Sequence, residues 1–130
     1  MKLLLDADVL IGALDRHDPH HRRARALFTR WRDGQDACAV SVVNLTEVLI
    51  APSADASKLA AAREAIAALG VAVHQPNEAI GVEAARMRYR HPISLPDAYC
   101  LAAAKHTGSA VSSFDQKLLK AAKHEGVKIA

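Results

Sequence analysis

Four acids stand where carboxylates could work together: Asp6, Glu47, Asp97 and Asp115. Asp6 ends an unbroken apolar run, Leu3-Leu4-Leu5, and a second acid, Asp8, follows after one residue. Glu47 falls in the first turns of a segment with helical spacing. Asp97 opens another such segment behind Pro96, and Asp115 follows the apolar run from Ala110 to Ser113. Clustered carboxylates repel and raise one another's pKa unless a cation sits among them. A hard divalent cation, Mg²⁺ or Mn²⁺, prefers oxygen ligands and removes that repulsion. Such a cluster suits a bound metal ion facing a shared crevice. Each acid also has a purely structural explanation. Glu47 stands three residues after Asn44, as in a capping box. Asp97 would favour a helix dipole, and Asp115 would serve as an N-cap. Asp6 fits such an explanation worst, because an acid directly after a triple-leucine strand is costly to bury unpaired.

The elements that would carry these acids alternate between strand and helix. Leu3 to Leu5 suits a strand buried on both faces of a parallel sheet. Val9 to Leu14 reads as a short helix or turn. Asp18-Pro19 predicts the next helix start, with Asp18 as N-cap and Pro19 in the first position. Ala24, Leu27, Phe28 and Trp31 follow at helical spacing, and Gly34 ends the segment. Ala37 to Ser41 predicts a second strand and Val42 to Ile50 a helix. A further helix runs from Ser53-Ala54-Asp55 to Gly70. A third strand covers Val71 to Val73, and a helix capped by Asn77 runs to about Arg90 and carries Met87. Ile93-Ser94-Leu95 reads as a loop between Pro92 and Pro96, and Pro96 opens the helix of Asp97. Ala110 to Ser113 predicts a fourth strand, Asp115 a final helix, and Val127 to Ile129 a short last strand. The expected fold class is α/β: three-layer α/β/α over residues 1–130 as a single domain, with a central, mainly parallel sheet of four to five strands. In such a sheet, strand ends and the helix starts after them share one edge, where ligands bind.

Composition narrows the possibilities. At 130 residues the chain can bury its own core without staples. Cys38 and Cys100 both lie in apolar runs and read as buried reduced thiols. No stretch is apolar and long enough to span a bilayer, no signal peptide is visible, and a cytoplasmic location is expected. The net charge of +3 permits a nucleic-acid partner without demanding one. Arg16, Arg22, Arg23 and Arg25 cluster with His17, His20 and His21, a segment suited either to RNA phosphates or to an ordinary solvated helix face. Pro19 between His17 and His21 keeps that pair off a regular helix, and no thiol accompanies them, which argues against zinc. Ser41 and Ser113 lack a nearby His–Asp pattern, which argues against a serine nucleophile. Aromatic content is only 4%, too low for a platform that stacks bases.

The stretches LLLDADVLIGAL, SVVNLTEVL, LPDAYCLAAAKHTG and AVSSFDQKLLKAA resemble, in order and spacing, the four acidic motifs of PIN-domain ribonucleases. Length and one-domain build look most like the VapC toxins of VapBC toxin–antitoxin modules. The resemblance implies a PIN-like fold and a metal-dependent endoribonuclease that uses Mg²⁺ or Mn²⁺. It implies Asp6, Glu47, Asp97 and Asp115 as the catalytic acids, with Asp6, Asp97 and Asp115 on the metal. Ser113 matches a position where the family usually has Thr. Asp8 falls where the family often has a small polar residue, and would orient Asp6 or tighten metal binding from behind. Gln116 and Lys117 stand where some members carry a further acid, so a second metal would be held weakly. Implied partners are an RNA substrate, a VapB-like antitoxin and a second copy of the chain in a homodimer. Leu45, Val48 and Leu49, or the helix of Ile80, would supply the dimer contact. Two rival readings remain. Leu5-Asp6-Ala7-Asp8-Val9 also resembles the opening motif of haloacid-dehalogenase-type phosphatases, with Asp6 as nucleophile. A non-catalytic RNA- or protein-binding module would use the acids only as caps.

Overall fold

In the computed structural model, which describes all 130 residues, four parallel strands form one sheet in the order β3-β2-β1-β4. They are β1 (Lys2–Leu5), β2 (Ala37–Ser41), β3 (Val71–His74) and β4 (Ala110–Ser112). The helices are α1 (Ala7–Leu14), α2 (His21–Asp33), α3 (Val42–Ile50), α4 (Ala56–Ala68), α5 (Glu78–Arg90), α6 (Leu95–Thr107) and α7 (Gln116–His124). A single 3-10 turn, Ala51–Ala54, follows α3. No helix is long and apolar enough to cross a membrane.

The triple-leucine run is central and buried, as expected. Strand pleating sends Leu3 and Leu5 to one face, where they pack with Val9, Leu10, Phe28, Trp31 and Val48 of α1, α2 and α3. Leu4 turns to the other face and packs with Met87, Leu101 and Leu118 of α5, α6 and α7. Each leucine is at most 2% exposed, so each contributes about 2 kcal/mol of apolar burial. Two separate cores therefore sandwich the sheet. Successive strands step from β1 to β2 to β3, and the chain then returns to place β4 on the other side of β1. The boundary between β1 and β4 is a switch point, with helices leaving for opposite faces, and ligand crevices open there.

Four elements differ from the sequence reading. Helix α1 begins at Ala7, which makes Asp6 its N-cap. Helix α2 begins at His21 instead of Pro19. Asp18 accepts from the His20 amide (2.8 Å) and so holds a turn ahead of the helix. Contact with α1 accounts for the later start. A Cβ at Gly12 would stand 3.2 Å from the Ala24 Cβ, and His21 Nδ1 meets the Gly12 carbonyl at 2.8 Å. Helix α6 begins at Leu95, with Ser94 as N-cap, so the expected loop is one residue shorter. Val127 to Ile129 forms only an isolated parallel bridge, Val111 to Ile129, and not a fifth strand. The expected dimer residues are also engaged within the chain: Val48 and Ile80 are buried in its own cores, and Leu45 and Leu49 half-buried beside them. Ile50, Val82 and Tyr89 are the large apolar side chains these helices expose.

Candidate active site

The carboxylates of Asp6, Asp8, Glu47, Asp97 and Asp115 line one cleft of about 670 Å³ at the β1/β4 switch point. Each is placed by a local device. Asp6 Oδ1 accepts from the Ala7 amide (2.7 Å), the N-cap bond that starts α1. Its backbone amide continues the sheet by bonding the Ser112 carbonyl at 2.9 Å. Asp8 follows in the first turn of α1, and its Oδ2 accepts from the Phe114 amide at 3.0 Å. Asp115 caps α7 through the Lys117 amide (2.9 Å). Asp97 sits in the first turn of α6, where Ser94 Oγ accepts from its amide at 3.3 Å.

Glu47 reaches the cleft through packing, not through the capping box its spacing suggested. Ser41 caps α3, and Asn44 is buried inside it. Asn44 Nδ2 donates to the Pro96 carbonyl (3.2 Å), which ties α3 to the start of α6 and brings Glu47 and Asp97 to the same wall. Ser113 is the hub beneath. Its hydroxyl donates to Asp6 Oδ2 (2.7 Å) and accepts from the Asp115 amide (3.0 Å).

The electrostatics are strained. None of the five acids forms an ion pair. Burial, and next the charge of Asp8, push Asp6 up to about 7 against the relief from Ser113. Burial also raises Asp8, Glu47 and Asp97. Asp115 raises Asp97 further, both by repulsion and by offering a carboxylate that protonated Asp97 can hydrogen-bond. Beneath them the fully buried Cys100 thiol is pushed well up, chiefly by burial and then by Asp6 and Asp97. Asp8 Oδ1 is buried without a hydrogen-bond partner. An orphaned carboxylate oxygen among like charges is the donor chemistry of a hard cation site. No three carboxyl, imidazole or thiol groups stand together as a ready-made metal site.

Other sequence-predicted residues fall elsewhere. Arg16, Arg22, Arg23 and Arg25 are exposed, and none lines the cleft. Arg23 lies over the Phe114 ring, 4.8 Å from its centroid, and His20 stacks on the same ring at 4.5 Å. The basic start of α2 thus grips the segment that joins Ser113 to Asp115. Lys105, the lysine a dehalogenase-type reading would need, is held by Glu83 and Glu125 outside the cleft. The sequence reading missed Ser94, Asn44 and Lys117, which also lines the cleft. Ser94 was findable, since Ser-x-x-Asp before an apolar run is a capping signal. The bond from Asn44 to Pro96 carried no local signal, because its partner is fifty-two residues away.

An α/β/α sheet with acids converging at its switch point defines a class, and comparison places the chain within it. The family model of the PIN domain matches residues 3–124. The chain belongs to the PIN-domain family. Among solved structures it is similar to VapC20 of Mycobacterium tuberculosis, a toxin that cleaves the sarcin–ricin loop, with 17% identity, TM-score 0.73, and coverage of 92% of this chain and 94% of that one. It is also similar to VapBC2 of Rickettsia felis bound to a promoter DNA fragment (12% identity, TM-score 0.74, 100% and 98% covered). A toxin–antitoxin complex from Klebsiella pneumoniae matches at 21% identity and TM-score 0.70, with 88% of each chain covered. No curated protein sequence matches the chain.

Proposed function

We propose that the chain is a Mg²⁺- or Mn²⁺-dependent endoribonuclease and the toxin of a toxin–antitoxin pair. The observation that carries this reading is the convergence of Asp6, Glu47, Asp97 and Asp115 on one cleft, with no cationic partner for any of them. Asp6, Asp97 and Asp115 would hold the ion. When bound, the ion supplies neutralisation of the phosphate and activation of water. In hydrolysis the water oxygen bonds to phosphorus, the ester P–O bond breaks, and the departing oxygen takes a proton. Glu47, left outside the ion's set and raised by burial and by Asp97, is the carboxylate that accepts the water's proton. Asp8 and Ser113 act as positioning residues: Ser113 fixes Asp6, and Asp8 fixes the Phe114 backbone. A solved structure similar to this chain is a toxin–antitoxin complex, which supports an antitoxin partner; an arginine of such a partner would match the charge of the carboxylates.

The test is cleavage of labelled RNA in Mg²⁺, comparing the wild type with Asp97→Asn and with EDTA-treated protein. Cleavage by the wild type alone supports the reading; equal cleavage by all three refutes it. A phosphatase would instead release phosphate from small phosphomonoesters. A binding module would keep its RNA affinity in EDTA and cut nothing. The homodimer is tested by light scattering after size exclusion, and a monomer at all concentrations removes it.

A further inference from the structure

A second pocket, of about 530 Å³, opens beside the acidic cleft and shares Pro92 and Lys117 with it. Its charge is opposite. Arg90, His91, Lys117, Lys120 and His124 line it, and no carboxylate does. Lys117, Lys120 and His124 recur at helical spacing on the outer side of α7, while Leu118 and Ala122 fill the core on the inner side. Behind the wall, Glu125 accepts two bonds from Arg90 (3.1 and 3.0 Å) and meets His91 Nε2 at 2.6 Å. Those bonds fix the two side chains that form the far wall. Lys117 and Lys120 have no carboxylate partner.

We propose that this pocket holds the backbone phosphates of a single nucleic-acid strand as it runs out of the acidic cleft. The inference rests on the nuclease reading for the cleft itself. A phosphodiester strand carries a negative charge at every nucleotide, so a strand with one phosphate among the carboxylates must place the next ones nearby. The structure offers cations at one end of the cleft, and Lys117 stands at the junction. The pocket has one hydrophobic lining residue, Ala121, and no Phe, Tyr or Trp to stack on a base. The cationic side chains meet the strand at its phosphates, contacts that position it and carry no sequence information.

The experiment measures binding of a fluorescent single-stranded RNA in Mg²⁺, in the Asp97→Asn background so that cleavage does not interfere. Lys120→Glu should weaken binding about tenfold at low salt, and should flatten the salt dependence by about 0.7 in slope for each phosphate it no longer neutralises. Lys123→Glu makes the same charge change on the same helix outside the pocket, and should stay within about twofold of its parent. No RNA binding by the parent, or equal effects of the two variants, overturns the proposal. So does an unaffected Lys120→Glu, the result expected if the pocket serves a protein partner. The two readings fail separately. Weakened binding in Lys120→Glu with no cleavage by the wild type removes the nuclease and keeps the pocket. Wild-type cleavage with an indifferent Lys120→Glu does the reverse.

Discussion

Glu125 and Asp6 are both acids held by neighbours from distant parts of the chain, yet their surroundings oppose each other. Around Glu125 stand Arg90, His91 and Lys105. Burial alone would raise Glu125, but those hydrogen bonds outweigh it and bring the carboxyl down to about 2. Around Asp6 stand other acids, and burial and Asp8 bring it up to about 7. One region satisfies its charge and holds α5, α6 and the end of α7 together. The other leaves its charge unsatisfied. A fold that surrounds one carboxylate with Arg90, His91 and Lys105 and pairs none of five others gives up stability at the cleft, as sites built to receive a cation do.

The largest expected effect comes from Asp6→Asn, which should separate function from stability. Cleavage should fall about a thousandfold or more, roughly 4 kcal/mol in the barrier, while the protein becomes more stable above pH 7. The sign follows from linkage. Between about pH 4 and 7 folded Asp6 keeps a proton that the unfolded chain releases, so stability falls as pH rises through that window. A full shift to about 7 corresponds to about 4 kcal/mol. Urea titrations in EDTA at pH 5 and pH 8 should therefore show the wild type weaker at pH 8 and the variant losing less over the same interval, its remaining loss coming from Asp8, Glu47 and Asp97. Saturating Mg²⁺ should restore the wild type by binding only the folded state. A wild type as stable at pH 8 as at pH 5 would break the contrast.

Glu125→Gln should act the other way. Its lowered pKa contributes stability that is present above about pH 4.5 and lost as pH falls through 4.5 towards 2. Arg90 and Lys105 are partly in water, so screening reduces the contribution to about 1–2 kcal/mol. The variant should melt earlier at pH 7 and cleave with unchanged kcat. The smallest effect belongs to Ser113→Ala. Removing the hydroxyl takes away the bond that favours ionised Asp6. Stability should drop by about 1 kcal/mol, and the pH-dependent loss in EDTA should move to higher pH. An unshifted transition would show that Ser113 does not hold the Asp6 charge.

Much of this was legible in the sequence where the signals were local. Leu3 to Leu5 declared a strand covered on both faces, and Gly34 declared the end of α2. The acids were legible because a charge after a buried strand has few structural excuses. What the sequence hid was set by tertiary packing. The start of α2 slipped from Pro19 to His21 under packing against Gly12. The supposed capping box of Asn44 and Glu47 dissolved because Asn44 bonds across to Pro96. The cationic pocket was invisible because Arg90 of α5 and Lys120 of α7 come to one pocket only in the folded chain.

The bond from Ser113 to Asp6 joins side chains one hundred and seven residues apart. During synthesis the strand carrying Asp6 emerges long before its neighbour β4. Such distant pairings form slowly. Until residues 110–115 leave the ribosome, β1 lacks one edge partner and the cleft lacks Asp115. A nascent chain thus cannot assemble the acidic cleft until both of these distant segments have left the ribosome.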